Sequence, residues 1–120
     1  MIDYKLLANT AMLAGEIMLC SGAETYRVED TMYHILKTSN IESTQVIAMM
    51  TGLVVTLNDP GFEQPVTMMR RVSERSTNVS NIVKVNDISR RYCEGKISLE
   101  EAYEELKHAK GKQYNRLLYN

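Results

Sequence analysis

The chain has 120 residues, of which 44% are hydrophobic and 24% charged, and its 14 Lys+Arg against 15 Asp+Glu leave a formal net charge of -1. That length accommodates a single hydrophobic core, and the composition excludes an intrinsically disordered or fibrous chain. The near-cancellation of charge excludes a global field that would draw in nucleic acid or anionic lipid, so any charge recognition has to be local.

Leu7, Ala11, Ala14 and Met18 recur at helical spacing, with Leu6, Leu13 and Ile17 widening the stripe, so residues ~4 to 20 read as a largely buried helix. The same segment carries Asp3, Lys5, Asn9, Thr10 and Glu16, which is too polar for a membrane span or a signal peptide. Ser21-Gly22 stops it, because glycine takes the left-handed backbone that a helix C-terminus favours. A second helix is expected from Ala23 to about Thr38, with Val28, Met32, Ile35 and Leu36 as its apolar face.

From Glu42 the period changes to that of strands. QVIAMM, LVVTL and PVTMMRRV are short β-branched and apolar runs, divided by Thr51-Gly52 and by NDPGFEQ. Three antiparallel strands follow, and Asp59-Pro60-Gly61 is the stronger turn, since Pro presets φ and Gly tolerates positive φ. Leu53, Val55 and Leu57 fall on one face of the middle strand, which is expected to pack on helices while the other face stays more open.

Asn78 is the expected N-cap of a third helix, with Val79, Ile82, Val85, Ile88 or Ser89, and Tyr92 as its stripe and Gly95 as its stop. Ser98-Leu99-Glu100-Glu101 is a capping box, with Ile97 and Ala102 spaced as a hydrophobic staple. The fourth helix buries Leu99, Ala102 and Leu106 and is expected to give out near Lys110-Gly111-Lys112. The expected fold is therefore α+β: two N-terminal helices, a three-stranded antiparallel sheet and two C-terminal helices, without internal repeats.

No phosphate loop, dinucleotide fingerprint, zinc-ligand spacing or G-x-S-x-G elbow occurs, so no cofactor is implied. Cys20 and Cys93 are the only cysteines and belong to no C-x-x-C pattern, which fits a reducing compartment better than a disulfide scaffold. Arg70, Arg71, Arg75, Arg90 and Arg91 form a local basic excess, yet no aromatic residues interleave them as a single-strand nucleic-acid binder requires. His34 and His108 have no Ser or Cys beside them at local spacing. Glu24, Arg27, Thr31 and His34 follow at steps of three, four and three and share a face of the second helix. Glu24 and Arg27 near that helix start could receive the ammonium and carboxylate of a small zwitterion. The same spacing also describes a solvated, salt-bridged face. The methionines, among them Met49-Met50 and Met68-Met69, fit core packing plus one open apolar sheet face, which points to a partner.

Taken together and in order, LAGEIMLCSGAETYRVEDTM, the TGLVVTLNDP hairpin, TMMRRV and IVKVNDISRRYCEGKISLEEAYEEL resemble the N-terminal soluble region of the threonine/serine exporter (ThrE) family. The resemblance covers nearly the whole chain. It implies a soluble cytoplasmic module of an amino-acid exporter, serving ligand sensing, gating or docking. Its partner is then the transmembrane portion of the same protein or a separate membrane subunit, with a small amino acid as ligand and a homo-oligomer as a further association. Residues 1–109 are then the domain, and 110–120, with Lys110, Lys112, Tyr114, Arg116 and Tyr119, a basic and aromatic tail leading to a membrane region that this chain does not contain. Through the GAE-x-x-RVE motif the resemblance implies Glu24, Arg27 and Glu29 as site residues, with Arg71 and Asn86 carried over more weakly. Two other readings compete: a small hydrolase with Glu24 or Glu29 as base and Arg27 as anion clamp, and a non-catalytic dimerisation module.

Overall fold

The computed structural model describes the backbone of residues 2–119 and the side chains of residues 2–112. Helix α1 (Tyr4–Cys20) is its centre. Asp3 caps it by accepting a hydrogen bond from the Leu6 amide, and from Leu7 to Leu19 every residue but Asn9 and Glu16 is buried. A helix that is apolar on most of its circumference has to be covered on most sides. Helices α2 (Thr25–Leu36), α3 (Val79–Cys93) and α4 (Leu99–Tyr119) and strands β2 (Gly52–Asn58) and β3 (Val66–Arg71) all pack on it.

The expected α+β architecture forms, in the order α-α-β-β-β-α-α. The sheet is antiparallel in the order β1-β2-β3, with β1 spanning Ser43–Met49. Its register aligns Val46, Val55 and Met68 on the helix-facing side and Ile47, Val54 and Met69 on the outer side. Leu53, Val55 and Leu57 are buried, as the alternation in the middle strand requires, whereas Ile47 and Met69 are exposed. Asp59 holds the second hairpin: its Oδ2 accepts from the Gly61 amide at 3.2 Å and its Oδ1 from the Glu42 amide at 2.9 Å. Gly61 keeps negative φ, so this turn does not use the freedom the sequence offered there.

Two helix ends follow one pattern. Gly22 has φ 92°, its amide donates to Leu19 O, and the Ala23 amide donates to Met18 O at 3.0 Å. Gly95 has φ 76°, its amide donates to Tyr92 O, and the Lys96 amide donates to Arg91 O at 2.8 Å. Both satisfy the last carbonyls by a glycine-dependent reversal. The first of them moves the start of α2. Ala23 is committed to closing α1 and Glu24 becomes the N-cap in extended backbone, so the helix begins at Thr25 and not at Ala23. It ends at Leu36, short of Thr38.

Asn78 caps α3 through the Asn81 amide, and the capping box closes in both directions, Ser98 N to Glu101 Oε1 and Glu101 N to Ser98 Oγ. Helix α4 does not give out at Lys110-Gly111-Lys112 but continues to Tyr119. A glycine inside a helix costs only about 1 kcal/mol against alanine, and Gly111 lies within an otherwise strong helix-forming run. Of the side chains expected to flank a membrane span, those of Tyr114, Arg116 and Tyr119 lie outside the described ones.

Arg91 ties α3 to α4. Its guanidinium donates to Glu105 Oε1 at 2.6 Å and Oε2 at 3.0 Å, and its Nε donates to Asp87 Oδ2 at 2.9 Å. Hydrogen bonding from Arg91 holds the Glu105 carboxyl below the usual range. A depressed carboxylate contributes stability that is complete above its unfolded-state pKa and is lost as pH falls through the folded-state value. Wild type and Glu105→Gln should therefore differ in urea midpoint at neutral pH and converge as pH drops below the ordinary glutamate range. A second substitution tests the sheet. A Cβ at Gly52 would sit 2.9 Å from the Arg70 carbonyl oxygen, which the ladder fixes, so Gly52→Ala should destabilise the fold by about 1–3 kcal/mol in the same assay.

Candidate functional site

Helix α2 presents different chemistry to its two sides. Toward the sheet, Glu29 Oε2 accepts a hydrogen bond at 2.8 Å from the backbone amide of Ala48. Ala48 belongs to the edge strand β1, whose amides facing away from β2 have no strand partner, so the carboxylate blunts the sheet edge. A cavity of about 320 Å³ adjoins this contact, lined by Tyr26, Glu29, Asp30, Tyr33, Thr44 and Val46.

On its other side α2 runs along α3. Thr31 Oγ1 donates to Asn86 Oδ1 at 3.5 Å, Cys93 Sγ donates to the His34 carbonyl at 3.5 Å, and the Thr38 and Tyr92 hydroxyls share a hydrogen bond of 2.9 Å. Between the helices lie two adjoining cavities of about 290 and 480 Å³, which share Asp30, Thr31 and Asn86. Arg27 and Tyr26 close one end of the smaller cavity and Met18 of the central helix forms part of its wall. His34, Ser89 and Arg90 line the larger one.

Of the residues that the sequence singles out, Arg27 and Asn86 meet in one cavity although 59 positions separate them. The carboxylate in that cavity is Asp30 and not Glu24. Glu24 sits at the N-cap, exposed, with no side-chain capping bond, because the α1 terminus displaces it from the helix. Glu29 lies at the β1 edge. Arg71 points to the outer face of the sheet, while its neighbour Arg70 points inward to Glu16 at 3.5 Å. The arginines therefore form no single patch: Arg90 and Arg91 pair with Asp87, and Arg75 donates to Met50 Sδ.

The guanidinium of Arg27 is held above its ordinary pKa, first by hydrogen bonding with the Tyr26 side chain and more weakly by the Glu24 charge. It is a permanent cation at the cavity mouth. The His34 ring is taken up by its own helix, with Nδ1 2.8 Å from the Asp30 carbonyl oxygen and 3.6 Å from Asp30 Oδ2. Burial pushes the Cys93 thiol up, opposite to what an activated thiolate needs. No group of three or more His, Cys, Asp or Glu among the described residues could hold a metal ion. The arrangement suits binding of a small polar molecule by a guanidinium, a carboxylate, a hydroxyl and an amide.

Sequence reasoning missed Asp30, and it missed that Glu16 gathers Arg70 of the basic excess and Lys110 of the tail. Glu16 is the one charged side chain between Leu6 and Cys20, an available signal that such a carboxylate has to be paired. It is: Lys110 Nζ lies 2.6 Å from Glu16 Oε2, whose side chain is only 13% exposed.

An α+β module built around a buried helix, with a polar groove between two of its covering helices and, among the described residues, no helix long and apolar enough to cross a membrane, is the class that fold and site define. The chain belongs to the threonine/serine exporter family, whose model, described as "Putative threonine/serine exporter", matches residues 9–119. It is similar to a "Probable threonine/serine exporter" of Mycobacterium tuberculosis, with 29% identity over 102 residues. That alignment covers 85% of this chain and 19% of the relative, so the chain spans about a fifth of the length of that curated relative. No solved structure gives a significant match.

The contact between Glu29 and the edge strand makes a separable prediction. Glu29→Ala should cost about 1–3 kcal/mol, because it leaves the Ala48 amide without its acceptor. Hydrogen exchange at Ala48 should accelerate more than at its neighbours in β1, and unchanged exchange there would remove the structural role given to Glu29.

Proposed function

We propose that this chain is a sensing module of a threonine/serine exporter, on the cytoplasmic side of the membrane, and that the groove between α2 and α3 receives the amino acid. The observation that supports this most is the meeting of Arg27, Asp30, Thr31 and Asn86 around one cavity of about 290 Å³. A guanidinium pairs with a carboxylate in a directional, charge-assisted contact, and a carboxylate receives an ammonium in the same way. Arg27 and Asp30 thus match the two charges of a zwitterion. Thr31 and Asn86, which already share a hydrogen bond, match the side-chain hydroxyl common to serine and threonine.

In this reading the chain performs no bond-breaking step. Its part in export is to change the relation of α2 and α3 when the solute binds and to pass that change to the membrane portion of the exporter. The hydrolase alternative finds little footing, since Glu29 is engaged by the Ala48 amide and Glu24 stands exposed at a helix cap.

Threonine titrated into the chain and followed by amide chemical shifts should move Arg27, Thr31 and Asn86 saturably. Arg27→Ala should weaken that binding roughly tenfold to a hundredfold, the range expected for loss of a charge-assisted pair, with no change in thermal midpoint. The same substitution in the full-length exporter should stop export in cells. Unaltered binding and export in the variant would refute the role assigned to the groove.

A further inference from the structure

A second cleft lies on the far side of the central helix, between α1, β3 and α4. It measures about 420 Å³ and is walled by Asn9 and Leu13 of α1, Arg70 of β3, and Tyr103, Lys107 and Lys110 of α4. The three α4 residues recur at i, i+4 and i+7, so one helix face supplies the aromatic ring and two ammonium groups. None of the described side chains on the wall is acidic. Glu16, mostly buried, lies 2.6 Å from Lys110 Nζ and 3.5 Å from Arg70 Nη1.

We propose that this cleft binds a small organic anion, a phosphate or carboxylate group carried on a short apolar body. Three cations face the cleft against one mostly buried carboxylate, so the wall keeps an excess of positive charge. Glu104, 3.7 Å from Lys107 and largely solvent-exposed, offsets part of that excess only at the rim. Among the described residues, donors also remain uncommitted. Arg70 Nη1 and Lys110 Nζ each meet Glu16 Oε2 as ion pairs, which leaves further N–H groups of the guanidinium and the ammonium to face a ligand. Glu16 acts as a positioning residue: a buried countercharge fixes where Arg70 and Lys110 stand before any ligand arrives, which reduces the ordering that binding would otherwise require. Lys107 lies 5.6 Å over the Tyr103 ring, so the ring that would stack on the apolar body also steadies the third cation. Leu13 gives the opposite apolar wall.

Inorganic phosphate and vesicles of phosphatidylglycerol are the two probes, each titrated into the chain at roughly 0.1 M salt, where surface attraction is screened beyond about 10 Å. Amide shifts at Asn9, Leu13 and Tyr103 are the readout. Saturable shifts with phosphate that weaken roughly tenfold or more in Lys107→Glu support the site and assign it to free anions. The same dependence seen only with vesicles supports it and assigns it to a lipid headgroup. Lys107 is exposed and has only a rim partner, so Lys107→Glu keeps the fold, and Lys84→Glu on α3 controls for net charge. Arg27→Ala should leave this response intact, which separates the cleft from the α2–α3 groove. Absence of saturable shifts with both probes, or equal weakening by Lys84→Glu and Lys107→Glu, overturns the proposal.

Discussion

The burial of α1 is the constraint on which the rest of this structure depends. From Leu7 to Leu19 the helix offers almost no face to water, and burial of each large side chain stabilises the fold by about 1.5–3 kcal/mol relative to exposure. One amphipathic partner would cover only one side of such a surface. Three helices and a sheet are needed, and the chain packs all of them around one rod. Glu16 is the single charge from Leu7 to Leu19, and its position decides where Arg70 and Lys110 must be. A carboxylate removed from water without partners would cost several kcal/mol, so the fold brings β3 and α4 to it.

Helix α2 shows how one short element can serve stability and recognition at once. Its core face, Val28, Met32, Ile35 and Leu36, packs inward and fixes the helix. One flank then delivers Glu29 to the sheet edge, and the other delivers Arg27, Asp30 and Thr31 to α3. These roles follow from a rotation of about 100° per residue, which separates adjacent side chains onto different sides. The motif GAE-x-x-RVE thus holds residues with distinct tasks: the glycine ends α1, the first glutamate begins α2, the arginine faces the groove and the last glutamate holds β1.

Much of this was legible in the sequence because the signals were local. The Schellman glycines, the Asn78 cap and the Ser98 to Glu101 box depend on residues within one turn of each other, and they set helix boundaries that the structure keeps. The alternation of Leu53, Val55 and Leu57 also carried its own meaning. Helix α2 ends at Leu36, before Thr38, and two further boundaries differ from the sequence pattern for physical reasons that lie one step beyond composition. Ala23 reads as a helix former, but its amide is needed to close α1, and Gly111 reads as a stop, but a lone glycine without a cap reversal does not end a helix.

The sequence by itself determined the elements, their order and the buried character of α1, since these rest on spacing along the chain. It also named Arg27 and Asn86 through the family resemblance. Only the tertiary structure decided that these two meet, that Asp30 replaces Glu24 as the carboxylate beside them, and that Arg70 and not Arg71 turns inward. The reason is that side-chain periodicity fixes which residues share a face, whereas the partner of a face is set by packing between elements distant in sequence. For β3 the difference is a single residue of register, which sends one arginine to Glu16 and its neighbour to the open face of the sheet.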